Sequence, residues 1–382
     1  MNDLDLSFLD ALDLHQINRD RYDAVEQNMV RAVELLEKTR YQGMLLTCPE
    51  NFAWFTAGGD SRLGKPSHPL AYLFITSQGR VILTTDAVAP QLFDQEIAGL
   101  GFQLKERLWT EGLDQLADEI CRGRSVMSDS GWGRTRNLGE EIDVLRQDLS
   151  PYALNQQQQI SQSLAAVVEH RARQLKPGQT EREIAAQLSA DLLQARMVPV
   201  QIQVYGNDDH FHYPHWMADD SPVTSSCTIS VVASQAGLHA AATRSVCWET
   251  ARESTAVSAA AELLGRMART FEVGKSSQEV FQECVTLLKQ GDVGTNWNLA
   301  EFALQLGYRA PEQVLNGQEE QSIPDLSVWR LLLRLPALLL ETTIRVQSDG
   351  PLKVLGTTDW PSFQFGAGDQ SSLNIPLPLD LS

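Results

Sequence analysis

Between Leu164 and Leu193 the chain ends one helix and begins another within a few residues, and this punctuation constrains the fold more than any other segment. Apolar residues at helical spacing carry the first helix to Leu175, where Lys176-Pro177-Gly178-Gln179 stops it, since proline lacks the N–H that would continue the ladder. Thr180 caps the next helix and Glu183, three residues on, completes a capping box. Ile184, Leu188, Leu192 and Leu193 are its expected buried stripe. Strand-like runs follow at Pro199 to Tyr205, Cys227 to Ala233 and Leu338 to Val346, with helical patterns at about Glu253 to Phe271 and Ser276 to Gln290. Helices and strands segregated in this way predict an α+β domain.

The chain before this point reads differently. A helical pattern from Arg21 to about Lys38 feeds the strand-like run Gly43 to Thr47, and Ala71 to Thr76 and Val81 to Thr85 predict a hairpin or meander turning at Ser77-Gln78-Gly79-Arg80, with Gly79 in a left-handed position. The glutamine-rich tract Asn155 to Gln159 reads as a solvated helix start. A chain of 382 residues exceeds what one core organises efficiently, so two domains are expected, a smaller α/β domain over 1–150 and a larger one over 151–382.

Charge and composition narrow the function. A formal net charge of -18 repels phosphate backbones and anionic lipid surfaces, so neither nucleic acid nor membrane is an expected partner. The longest apolar runs, such as Leu338 to Leu340, fall far short of the roughly 20 residues of a membrane span. Acids at Asp3 and Asp5 stand where a secretory signal needs a basic start, which predicts a cytoplasmic protein. Cys48, Cys121, Cys227, Cys247 and Cys284 are scattered with no paired spacing and read as reduced, mostly buried thiols.

Three segments in order resemble one family. They are Asn51-Phe52-Ala53-Trp54-Phe55-Thr56-Ala57-Gly58-Gly59, then Leu175-Lys176-Pro177-Gly178-Gln179-Thr180-Glu181, then Ser230-Val231-Val232 through Gly237-Leu238-His239-Ala240-Ala241-Ala242-Thr243-Arg244-Ser245. Together they resemble the creatinase and Xaa-Pro aminopeptidase family, which implies a pita-bread catalytic domain behind a creatinase-type α/β domain. The family's metal ligands are two Asp, one His and two Glu, because paired divalent cations need bridging carboxylates. The resemblance puts Ser230 and Ala241 at the two Asp positions, and the stretch before Gly307-Tyr308 holds no histidine. Only Glu341 matches one of the glutamates; between about Val328 and Pro336, where the other belongs, stand only Val, Leu, Arg, Trp and Pro. No cofactor and no metal are therefore expected.

What the resemblance leaves is a set of candidate side chains. In creatinase, a metal-free hydrolase, the histidine matching His215 is the acid-base group, so His215 is expected to shuttle a proton and Glu341 to orient a cationic substrate. The plainer alternative packs His215 under Trp216 as a hydrogen-bonded remnant and pairs Glu341 with a basic neighbour. His210, His212 and His215 with Asp209 could form a mononuclear site, or an exposed turn. Arg244 is expected in a structural salt bridge, and Trp54 and Arg62, the latter in Gly58-Gly59-Asp60-Ser61-Arg62, are candidate substrate contacts in a homodimer. Two functions remain open: a metal-independent hydrolase of a C–N bond in a small amino-acid-like or guanidino compound, and an inactive pseudopeptidase that binds a small molecule or short peptide. A peptidase with a repurposed metal site ranks below both.

Overall fold

The structure, a computed structural model, describes residues 18–64, 68–207, 211–248, 254–291, 295, 297–318, 321–335, 338–356, 358–366 and 372–382. The chain divides into two compact units, Met1–Arg146 and Gln147–Ser382.

In the first unit, helix α1 (Arg19–Thr39) starts at Asn18, whose side chain accepts from the Arg21 N–H. Then follow β1 (Gly43–Leu46), α2 (Pro49–Phe55), β2 (Ala71–Thr76), β3 (Gly79–Thr85), β4 (Gln103–Arg107), α3 (Leu113–Cys121), β5 (Val126–Ser128), β6 (Arg136–Asn137) and α4 (Gly139–Gln147). One mixed sheet of order β4-β3-β2-β1-β5-β6 results. The expected hairpin is β2 with β3, but Gly79 does not take a left-handed backbone; it opens β3 and pairs with Thr76, leaving Ser77-Gln78 as the turn. Glycine is needed instead at Gly43, where a Cβ would stand 2.6 Å from the Phe74 ring.

The second unit begins with α5 (Pro151–Arg173), capped by Ser150, and α6 (Glu181–Gln194), whose Thr180 and Glu183 form the expected capping box. The glutamine-rich start is not simply solvated, because Gln157 is fully buried and donates to the His239 carbonyl at 2.5 Å. In α6, Ile184, Leu188 and Leu192 are buried as expected, whereas Leu193 is 61% exposed, since it falls about 100° around the helix from Leu192.

Strands β7 (Val198–Gly206), β8 (Ser226–Gln235) and β9 (Leu238–Cys247) form an antiparallel meander, and β17 (Leu379–Asp380) joins the free edge of β9 in parallel. Between them in sequence lie α7 (Ser254–Ala268), α8 (Ser277–Gln290), β10 (Ala303–Leu306), β11 (Gln313–Val314), β12 (Ser327–Leu335), β13 (Leu338–Val346), β14 (Lys353–Leu355), β15 (Ser362–Phe365) and β16 (Leu373–Pro376). A second sheet of order β11-β10-β12-β13-β14 packs one face on α7 and α8, through a core that includes Leu264, Met267, Val280, Trp329, Leu331 and Ile344. The domain is α+β, as expected. Among the described residues, no helix is long and apolar enough to cross a membrane.

Candidate functional site

Strand alternation decides which side chains meet between the two sheets of the second unit. On β12, Trp329, Leu331 and Leu333 belong to the helix-side core, so Arg330, Leu332 and Arg334 point the other way. Register pairs Leu332 with Glu341 and Arg330 with Thr343, which places Arg330 and Glu341 on one face of β12 and β13. That face meets the meander, where Gln203, Ser230 and Thr243 are aligned across β7, β8 and β9.

These residues form a closed polar cluster. Arg330 directs Nε and Nη2 at one carboxylate oxygen of Glu341, at 2.8 and 2.6 Å. Its Nη2 also donates to Ser230 Oγ at 2.8 Å and approaches Thr243 Oγ1 at 3.3 Å. Thr243 Oγ1 lies 2.5 Å from the same Glu341 oxygen and 2.9 Å from Ser230 Oγ. Arg330 and Glu341 are only 4% and 3% exposed, so the pair is desolvated and each charge depends on the other. Four residues further along β12, burial pulls the Arg334 guanidinium below its ordinary value, opposed by its hydrogen bond to Tyr205.

The back of β9 carries a second buried pair. Arg244 lies 2.7 Å from Glu169 of α5, its Nε donates to the same oxygen at 2.8 Å, and Thr358 holds the other oxygen at 2.5 Å. This is the structural salt bridge expected for Arg244.

The remaining candidates lie elsewhere. His212 and His215 are exposed on the segment after β7, whereas His210, with Asp209, lies outside the described residues. That segment is pinned at Pro214, whose carbonyl accepts from Gln203 Nε2 at 3.1 Å and from the Tyr205 hydroxyl at 3.0 Å. It is pinned again at Glu181, which accepts from Trp216 Nε1 at 2.6 Å, Gly206 N at 2.7 Å and Asp219 N at 3.3 Å. Trp216 stacks on Tyr213 at 5.1 Å rather than covering His215. Burial raises the Glu181 pKa, against the lowering pull of its three N–H donors.

The structure places the candidate residues apart. Glu341 is paired with Arg330, and the cavity it lines, with Ala241, Thr343 and Gly356, holds about 10 Å³. His215 does not line that cavity. Trp54 is 2% exposed in the core of the first unit, edge-on to Phe55, and has no surface for a ligand. Arg62 is exposed in a turn where Asp60 accepts its backbone N–H at 2.9 Å. Of the cysteines, only Cys227 and Cys284 are buried; the other three are partly exposed.

Sequence reasoning missed Arg330, Thr243 and Glu181. A signal for Arg330 was present: an arginine inside the run Val328 to Leu335 is buried by its neighbours and demands a carboxylate, and Glu341 is the nearest acid on the next strand.

Comparisons with known proteins agree with this architecture. The model for metallopeptidase family M24 matches residues 156–316. The fold is similar to that of the prolidase from Pyrococcus horikoshii OT3, with a TM-score of 0.72 at 13% identity over 87% of this chain and 99% of that one. It is similar to dipeptidase PepE from Mycobacterium ulcerans, with a TM-score of 0.70 at 14% identity over 88% and 96%. It is also similar to the N-terminal domain of the FACT complex subunit SPT16 from Cicer arietinum, with a TM-score of 0.65 at 12% identity over 88% and 96%. No curated protein sequence matches the chain.

The side chains at the positions where the resemblance expects metal ligands are these. Ala241 has no donor atom, and Ser230 offers a neutral hydroxyl already engaged by Arg330. The guanidinium stands against Glu341, where a metal ion would meet like charge. Among the described residues, no group of three or more His, Cys, Asp or Glu is arranged to hold a metal ion.

Proposed function

With residues 156–316 matching metallopeptidase family M24 and the chain folded like its prolidases, we propose that this protein is not a dinuclear metallopeptidase but a pita-bread binding protein. Its ligand, a short peptide or an amino-acid-like small molecule, would bind away from the closed cluster at Glu341. The observation that carries the reading is the Arg330–Glu341 ion pair, which engages the carboxylate matching a family ligand and leaves about 10 Å³ beside it, room for about one water molecule. The fold is also that of a subunit of the FACT complex, so it occurs in a component of a larger assembly.

Protein incubated with Mn(II), Co(II) or Zn(II) and desalted is expected to retain less than stoichiometric metal and to leave Xaa-Pro dipeptides intact. Tightly held metal at two equivalents per chain with Xaa-Pro turnover would overturn the proposal.

A second reading keeps chemistry, because His215 is exposed beside a backbone pinned at Pro214. In it His215 is the acid-base group of a metal-independent C–N hydrolase. Metal-free turnover of amino-acid amides or guanidino acids, reduced on the order of a hundredfold or more in His215→Ala, would support it over binding alone. A homodimer belongs to either reading, and a monomer at micromolar concentration in light scattering removes Arg62 from consideration.

A further inference from the structure

The Arg330 cluster is more than a loss of metal ligands. Its parts are those of a receptor for a planar cation: one carboxylate oxygen taking two N–H donors, and the hydroxyls of Ser230 and Thr243 at 2.8 and 3.3 Å from Nη2. These groups come from three strands, β8, β9 and β13, so a cation among them, here Arg330 from β12, ties the meander to the second sheet. Removing it would leave Glu341 buried as an uncompensated anion.

We infer that the second unit contains a guanidinium-binding site, filled by its own Arg330, which does the charge-compensating work at this junction that a metal-binding homologue leaves to its ions. The assignment of the position rests on the match of Glu341 proposed above; the receptor geometry does not. Three consequences follow. The wild-type fold needs no added cation. Loss of Arg330 is felt as loss of a charge and not only of packing. The emptied site accepts a free cation of the same chemistry, because its hydrogen-bond acceptors remain fixed by their strands. A guanidinium is favoured over an ammonium, since it presents adjacent N–H groups in one plane to the shared oxygen and a neighbouring hydroxyl.

The test is chemical rescue in the full-length chain. Arg330→Ala is expected to lower Tm by roughly 10 °C, the scale for breaking a buried pair in a chain of this size. Millimolar methylguanidinium chloride should then raise the Tm of Arg330→Ala, methylammonium chloride at equal concentration should raise it less, and neither should raise that of the wild type. Should Arg330→Ala fail to fold, Arg330→Lys takes its place: it keeps the charge but not the fork, and is expected between wild type and alanine in Tm. The inference is overturned if Arg330→Ala keeps the wild-type Tm, if methylguanidinium rescues no better than methylammonium, or if Arg330→Lys equals wild type. None of these results bears on whether the wild type hydrolyses Xaa-Pro dipeptides with metal, so this inference and the proposed function fail separately.

Discussion

Glu341 and Glu181 are both buried carboxylates of the second unit, at 3% and 0% exposure, and the protein stabilises them in different ways. Glu341 has a cation: Arg330 lies 2.6 Å away, and the pair is neutral as a unit. Glu181 is held by donors without charge, two backbone N–H groups and the Trp216 indole. Its place at the first turn of α6 adds the positive end of a helix dipole. An acid neutralised by a counter-ion makes its surroundings depend on that ion. An acid held by N–H groups instead organises the backbone that donates them, and Glu181 accordingly fixes the end of β7 and the segment bearing His215.

This difference predicts an order of effects. Glu341→Ala strands the Arg330 guanidinium in a desolvated site and should cost about 3 to 5 kcal/mol, whereas Glu181→Ala leaves only neutral N–H groups without an acceptor and should cost about 1 to 3 kcal/mol. Urea unfolding of both variants checks the order. If Glu181→Ala is the more damaging, the contrast between the two acids is wrong.

The next effect is smaller and local. Thr243→Val removes a hydroxyl shared by Glu341 and Arg330 but leaves the charges paired, and should cost about 1 kcal/mol. Trp216→Phe removes one donor from Glu181 at a similar cost. The two differ in where they act. Amide hydrogen exchange should quicken in residues 211–220 for Trp216→Phe only, because Thr243 donates nothing to that segment; equal quickening in both would dissolve the distinction.

Much of the fold was legible because its signals are local. The capping box at Thr180 and Glu183 is readable from four residues, and the strand at Leu338 to Val346 matches its pattern end to end. Glu341 was found through resemblance, and a basic partner for it was one of the two alternatives. Its partner was not named, because pairing across β12 and β13 depends on register, and a shift of one residue would have sent Arg330 to the helix side. Leu193 was misplaced for a related reason: its apolar character fits the stripe, but its angle does not. Trp54 was a candidate through the resemblance to creatinase-like homodimers, and only packing shows that it is core. Glu181 was read as part of a motif, and no local pattern says that a helix-start acid will reach a tryptophan 35 positions on.

The smallest effect is the pH dependence of Glu181. Burial raises its pKa in the folded protein above the ordinary carboxylate value, while in the unfolded chain it titrates near about 4.3. Between these two values the folded state holds more proton than the unfolded state, so stability falls as pH rises through that window; the contribution is complete below the unfolded value and gone above the folded one. The neighbouring Asp219 carboxylate acts in the same direction, and the three N–H donors oppose it, so the slope should be shallow. Glu181→Gln removes the titration. It shifts stability by a constant amount, because an amide presents an N–H₂ to donors, but it should flatten the slope in the mildly acidic range relative to wild type. Urea midpoints measured every half pH unit for both proteins separate the two effects. A wild-type slope that survives unchanged in Glu181→Gln assigns the titration to another group and leaves Glu181 as a hydrogen-bonding anchor alone.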